Sequence, residues 1–473
     1  LIAFLARDAP QNPPQIAPAV MDVPQIVVAN DNVRITSSCR LILAPRPLID
    51  ADNNGVIQIE GDDITVDFGD QTLQGADVKT PQDELRGIGI VAHGKRITIR
   101  NGTVTGFRIG ISATHCDHAL FEGMQFIRNF AQRLASNIER EDAKDWLAPQ
   151  KNDAGEWLSQ YGAAIAVSDS QGIVIREIGV RQGQNGIVLS RVSNAQVYNC
   201  DASFLSGWGI ALWRSCSNTI CRNSLDFCIR GYSHNIYNRG QDSAGILCFE
   251  QSSDNTIMMN SATHCGDGFF GFAGREALGE SSGVGAATSN LGQGCNRNLI
   301  ALNDFSDAAA HGLETTFSFD NRIFRNRFDR DAICGIWGGY SQRLQIRGNI
   351  FRATGDAGVG GENGAINIEH GRDALIADNI FSNNSAGVRL WWDEDAQLAK
   401  LPWAKANGVD STGSVITRNT FKGEKIGVFL RGSPGTIIES NTMTNVGVDI
   451  DADESSRAGL NTAQKKEQNA SVL

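Results

Sequence analysis

Residues 344–351 read LQIRGNIF, and the same short phrase returns along the chain. It stands as LIALNDF at 299–305, RIFRNRF at 322–328, LIADNIF at 375–381, VITRNTF at 415–421 and TIIESNTM at 436–443, with earlier copies TICRNSL at 219–225 and TIMMNSA at 256–262. Each copy alternates apolar residues, then places an asparagine with a mostly apolar residue two positions beyond it. The asparagines are Asn223, Asn260, Asn303, Asn326, Asn349, Asn379, Asn419 and Asn441; Phe305, Phe328, Phe351, Phe381, Phe421 and Met443 follow the last six. Alternation is the period of a strand rather than a helix. A unit that recurs at this spacing marks an architecture of stacked repeats.

A second phrase precedes each copy: a small residue, then an apolar one. It reads GIVLS, GIALW, GILCF, GFFGF, GLETT, GIWGG, AINIE, GVRLW and GVFLR, opening at Gly186, Gly209, Gly245, Gly268, Gly312, Gly335, Ala365, Gly387 and Gly427. Short strands in each repeat, joined by turns carrying a stacked asparagine, predict an all-β fold, a parallel β-helix wound from a single chain. The asparagine ladder is expected to be structural, because aligned amides satisfy turn backbone groups and one another. The solenoid is expected over 27–450, with insertions near 129–162, 275–294 and 394–412. Residues 1–26, rich in proline and apolar groups, are expected to cap the open end, and 451–473 form a polar tail.

The composition narrows the partners. There are 53 acidic residues against 42 basic ones, a formal charge of −11, and the basic residues are not clustered, so nucleic acid is not an expected partner. No run approaches the length of a membrane span. The opening LIAFLARDAP reads equally as a signal-peptide remnant or a native start. The ten cysteines show no C-x-x-C pair; most read as small packing residues, with a few disulfides left open.

On these repeats the chain resembles the right-handed parallel β-helix superfamily, which includes pectate lyases, polygalacturonases, mannuronan epimerases and accessory proteins of copper-site assembly. The resemblance implies a polysaccharide bound along one face of the solenoid and a secreted or periplasmic location. The polygalacturonase pattern of paired aspartates with G-H-G and R-I-K is missing, as is the epimerase D-P-H.

In the phrase G-I-x-L-x the second and fourth positions are expected to point inward and the third and fifth outward. The outward set mixes aromatics, carboxylates and arginines: Trp213, Glu314, Trp337, Glu369, Arg389, Trp391 and Arg431 among them. Trp391 is expected to face out in line with Trp337 and Trp213, as a platform for sugar rings, while Trp392 packs in a turn. The alternative is that the insertions cover this face and the aromatics are their packing surface. Asp267 and His311 each stand just before a coil-opening glycine in consecutive repeats, so they are expected side by side, with Glu314 three residues beyond His311. Glu314, its strand position flanked by Leu247 and Phe270 in the preceding repeats, is the expected catalytic acid, with His311 and Asp267 assisting. Asp242 and Glu369 are the next acids considered. Tyr340, Glu250, Arg275, His370, Arg389 and Arg431 complete the expected substrate-binding set.

Glu314 and Glu369 are expected about 10 Å apart at the backbone, given ~4.8 Å between coils. That separation permits the ~6.5–9.5 Å between carboxyls used by inverting glycosidases. The absence of lysine between Lys151 and Lys400 disfavours a lysine-based lyase, although Arg275, His311 or Tyr340 remain candidate bases. The expected function is therefore glycoside hydrolysis, with a lyase or C5-epimerase on uronate or sulfated glycans second and a non-catalytic glycan-binding or accessory protein third. No resident cofactor or metal is assigned; calcium is expected only with the lyase reading.

Overall fold

A computed structural model describes residues 23–137, 139–231, 240–272, 278–279, 294–358, 360–457 and the backbone of 461–463. Its strands form three parallel sheets of 18, 15 and 5 members among the described residues. In the 15-stranded sheet each strand pairs with the next along the chain, from Val33–Ile35 to Val448–Ala452. This is a right-handed parallel β-helix. Most of residues 1–26 and most of the insertion 275–294, together with the far tail, Arg275 and the polar turn with Tyr232, His234 and Arg239, lie outside the described residues.

One apolar cluster fills the solenoid from Val28 to Ala452. The alternation places Ile210, Leu212, Ile246, Cys248, Leu313, Ile336, Ile366, Ile368, Val388, Leu390, Val428 and Leu430 inside it. Their strand neighbours face away from it. The coil-opening glycines are forced by close approach: a Cβ at Gly186 would lie 2.3 Å from the Gly209 carbonyl oxygen, and one at Gly268 would lie 2.5 Å from that of Gly312.

The asparagines form a continuous buried ladder. The Asn303 backbone N–H and side-chain amide donate to Asn326 Oδ1 at 2.9 and 3.0 Å, and the pattern runs from Asn223 to Asn441. A second ladder, Asn218–Asn255–Asn298–Asn321, runs one turn away. The phenylalanines stack beside the first ladder, with ring centroids 4.8 Å apart for Phe328–Phe351 and 4.6 Å for Phe381–Phe421. All ten cysteines are free thiols, so none of the disulfides left open forms. Among the described residues no helix is long and apolar enough to cross a membrane.

Candidate active site

The outward side of the 15-stranded sheet carries the chemistry, and two insertions divide it. The first brings the short helix Glu156–Tyr161 over the upper coils, where Trp157 packs on Trp208 and Trp213 with centroids 4.6 and 5.3 Å away. Beneath it Ala211, Trp213, Leu247, Phe249 and Phe270 form an apolar cluster separate from the solenoid core. Trp213 is 0% exposed and cannot meet a sugar, which corrects the expectation that it lines the substrate strip. Its outward direction follows from the strand period; its burial follows from the insertion. Glu250, at the end of the strand Ala244–Phe249, is likewise buried. Asp242 accepts the Trp208 indole N–H through its backbone carbonyl at 2.8 Å and sits with this cover rather than with the other acids.

The second insertion carries the helix Pro402–Asn407, whose Trp403 packs on Phe317 and Phe319. Between the covers a strip remains, built as two columns in which Glu314, Glu369, Arg389, Trp391, Phe429 and Arg431 are half-buried and Phe270, Thr316, Trp337, Gly339 and Asn367 are buried. Cα register aligns Phe270, Glu314, Trp337, Asn367, Arg389 and Phe429 in one. The other column holds Thr316, Gly339, Glu369, Trp391 and Arg431, with Phe317 N–H donating to the Gly339 carbonyl and Tyr340 N–H to that of Glu369. Trp337 and Trp391 therefore stand in different columns, not in line. Trp337 is only 9% exposed and its ring lies over His311, centroids 6.0 Å apart, so one face is already taken. Trp391 donates its indole N–H to Asn367 Oδ1 at 2.8 Å, and Gly361 lies against its ring.

At the head of the first column Asp267, His311 and Glu314 meet. The His311 backbone N–H donates to Asp267 Oδ1 at 2.9 Å, and His311 Nδ1 lies 3.2 Å from that oxygen and 3.3 Å from Glu314 Oε2. Glu314 Oε1 accepts the Thr316 hydroxyl at 2.9 Å. Asp267 and His311 are buried, whereas the Glu314 side chain keeps 17% of its surface, so Glu314 alone of the three faces the strip. Burial opposes charge on His311, but Asp267 and Glu314 outweigh it and push the imidazole up to about 10. The two carboxylates thus favour the cationic form of the ring. Burial also raises the Asp267 carboxyl, against the pull of His311.

Two coils on, a second cluster forms where sequence reading assigned no metal. Glu369, His370 and Asp393 each offer a ligand atom, all within 4.8 Å of one another. Burial pushes the Glu369 carboxyl up to about 7, with Asp393, Glu362 and Asp395 adding to the rise. His370 continues a stack of rings, Phe317–Tyr340–His370, with centroid spacings of 4.5 and 4.9 Å. Burial first, then the Glu369 charge, pushes the Tyr340 hydroxyl well above its usual range. The signal for this ladder is the sixth position of each phrase, GLETTF, GIWGGY, AINIEH and GVRLWW, which brings Phe317, Tyr340, His370 and Trp392 to the same turn.

Arg389 and Arg431 bracket the Phe429 ring at 4.5 and 4.0 Å. Arg431 is held by Asp451 at 2.9 Å. Arg389 has no ion pair among the described residues, and burial lowers its guanidinium pKa.

The family model described as periplasmic copper-binding protein (NosD) matches residues 32–261 and 354–472. The chain belongs to the NosD family. A model described as a right-handed β-helix region matches residues 281–400 of this NosD-family chain. Among solved structures it is similar to the periplasmic alginate epimerase AlgG, at 12% identity over 89% of this chain and 78% of that one, TM-score 0.35. The A-module of the Azotobacter vinelandii mannuronan C-5 epimerase AlgE6 is 13% identical over 93% and 91%, TM-score 0.40. The catalytic unit of a GH87 α-1,3-glucanase from Streptomyces thermodiastaticus strain HF3-3 is 10% identical over 82% and 65%, TM-score 0.43. At such identities and scores no reaction carries over. No curated protein sequence matches the chain.

Proposed function

We propose that this NosD-family chain is an extracytoplasmic polysaccharide-active enzyme that hydrolyses a glycan laid along the strip, with Glu314 delivering the proton. The observation that carries this reading is the Asp267–His311–Glu314 line, which keeps two members buried and turns only Glu314 toward the strip. At neutral pH the three groups hold a proton in common on or beside the imidazole. Glu314 is its route to a glycosidic oxygen: the oxygen is protonated, the bond from the anomeric carbon breaks, and water adds to that carbon while giving up its proton to the Glu369 carboxylate.

Water belongs on the side of the second cluster. Glu314 pairs with Trp337, Trp337 with Asn367, and Glu369 follows two residues later. That register sets the two glutamates about 12 Å apart at the backbone, from ~4.8 Å per coil and ~3.3 Å per residue. The floor between them is Gly339, against which the Trp337 indole lies.

Elimination or epimerisation would need a base able to take a proton from carbon. Of the candidates, His311 is held toward its protonated form by Asp267 and Glu314, and the Tyr340 hydroxyl is raised and stacked between Phe317 and His370. Both facts favour hydrolysis. The family description supports the location, and an oxidising compartment is tolerable for these thiols: burial pushes Cys116 up to about 11 and Cys200 to about 12, which suppresses the reactive thiolate.

A panel of neutral and acidic glycans, assayed for new reducing ends and for the absorbance of unsaturated uronates, tests the reading. Reducing ends without absorbance are expected, and Glu314→Gln should cut turnover by about 10²–10⁴ while the circular dichroism spectrum stays unchanged. Absorbance rising together with reducing ends would reassign the enzyme to elimination. Binding without any product would make it a glycan-binding protein.

A further inference from the structure

We infer that Glu369, His370 and Asp393 form a binding site for one divalent transition-metal ion, with His370 Nε2 as its nitrogen ligand. The family's description names copper without naming residues; the assignment here rests on the geometry of this chain. His370 Nδ1 lies 2.5 Å from the Val409 carbonyl oxygen. A carbonyl can only accept, so Nδ1 carries the hydrogen and Nε2 is left to bind. That is the arrangement in which a backbone carbonyl fixes the tautomer and orientation of a metal-ligating histidine. His370 is 1% exposed, and its Nε2 has no hydrogen-bond partner among the described residues.

Nε2 is aimed at two carboxylates, lying 3.5 Å from Asp393 Oδ1 and 3.8 Å from Glu369 Oε1. Three potential ligand atoms converge here, and a cation seated among them would satisfy all three. Neither carboxylate has a lysine or arginine ion partner among the described residues. The Asp393 side chain is 69% exposed, which gives an ion a way in from solvent, and Glu369 is largely covered, which gives it a fixed seat. The acids of the stretch GVRLWWDED thus acquire a purpose: Trp392 packs near His370, centroids 6.1 Å apart, and the turn after it delivers Asp393 to the imidazole.

The donor set selects the ion. One imidazole nitrogen with carboxylate oxygens suits Cu²⁺, Zn²⁺ or Mn²⁺; calcium prefers oxygen alone, and cuprous copper prefers sulfur. Most thiols of this chain are buried, and none belongs to this cluster. When bound, such an ion can polarise a water on the side of the strip where hydrolysis needs one. The site itself does not depend on that reaction, because binding is measured without glycan.

The test is titration of the chelator-stripped protein with Zn²⁺, Cu²⁺ and Ca²⁺ separately, followed by calorimetry, with the Cu²⁺ form examined by electron paramagnetic resonance. One equivalent of Zn²⁺ or Cu²⁺ is expected, with nitrogen hyperfine structure from one imidazole. Affinity should fall at least about tenfold in Asp393→Asn, whose exposed position spares the fold, and in Glu369→Gln. Glu314→Gln should bind the ion as tightly as the parent, which separates this site from the Asp267–His311–Glu314 line. Calcium binding alone, no saturable binding, or unchanged affinity in both Asp393→Asn and Glu369→Gln would overturn the assignment. Metal binding with no glycan turned over would leave the site standing and remove the hydrolytic reading.

Discussion

Trp213 and Trp391 occupy the same fifth position of their phrases, yet they do different work. Trp213 lies under Trp157 with no surface left, whereas Trp391 lies half-buried at the edge of the strip and is tied to Asn367. The period of a strand tells which way a side chain points, and both tryptophans do point away from the solenoid core. It cannot tell what lies above them, because the cover comes from residues far away in sequence. The expected consequence is a split between stability and binding. Trp213→Ala should cost about 3–5 kcal/mol of stability, the usual range for a buried tryptophan that leaves a cavity, and should leave glycan affinity of the folded protein unchanged. Denaturant titration with a binding isotherm on the same sample checks this. A weakened isotherm at full folding would place Trp213 at the ligand after all.

At the scale of the elements, ladders dominate. The Asn223–Asn441 ladder and the phenylalanine stack could be read from the repeat, because stacking puts equal positions of successive coils in contact. The adjacency of Asp267 and His311 could be read for the same reason. The cluster at His370 could not be read so directly: Asp393 lies beyond the strand Val388–Trp391, in a turn the repeat does not describe. A further turn ladder escaped as well, in which Thr354 N–H donates to Asn384 Oδ1 and Asn384 N–H to Glu424 Oε2. Glu424 is buried where neighbours carry neutral groups, and burial pushes it up to about 8 from 4.5. A folded pKa above the unfolded one means that the native state keeps a proton which the unfolded chain has released. Stability is therefore whole below about 4.5 and declines as pH rises toward about 8. Glu424→Gln removes that dependence. Relative to the parent, the variant should gain stability across this window by at most about 1.4 kcal/mol per pH unit, flattening above it. Melting temperatures of both proteins between pH 4.5 and 8.5 provide the check, and parallel curves would refute the burial argument.

At the scale of the whole molecule, the question is whether so long a stack behaves as one body. A coil of this kind has no core of its own; its apolar residues are covered only by the coils above and below. Here that cover is unbroken, since one apolar cluster runs from Val28 to Ala452 and the 15-stranded sheet pairs every strand with the next. The side-chain ladders reinforce the same joints, tying each coil to its neighbour through both backbone and side chain. The two insertions rest on the outer face and interrupt neither the cluster nor the sheet. Stacked repeats lose cooperativity when an interface between neighbours is much weaker than the rest, and no such interface breaks this core. A single unfolding transition is therefore expected, with calorimetric and van't Hoff enthalpies in agreement. The isolated half up to residue 261, which would expose the cut faces of two ladders, should fail to fold. Two resolved transitions, or a soluble and cooperatively folded half, would show that the continuous core is not what holds the molecule together.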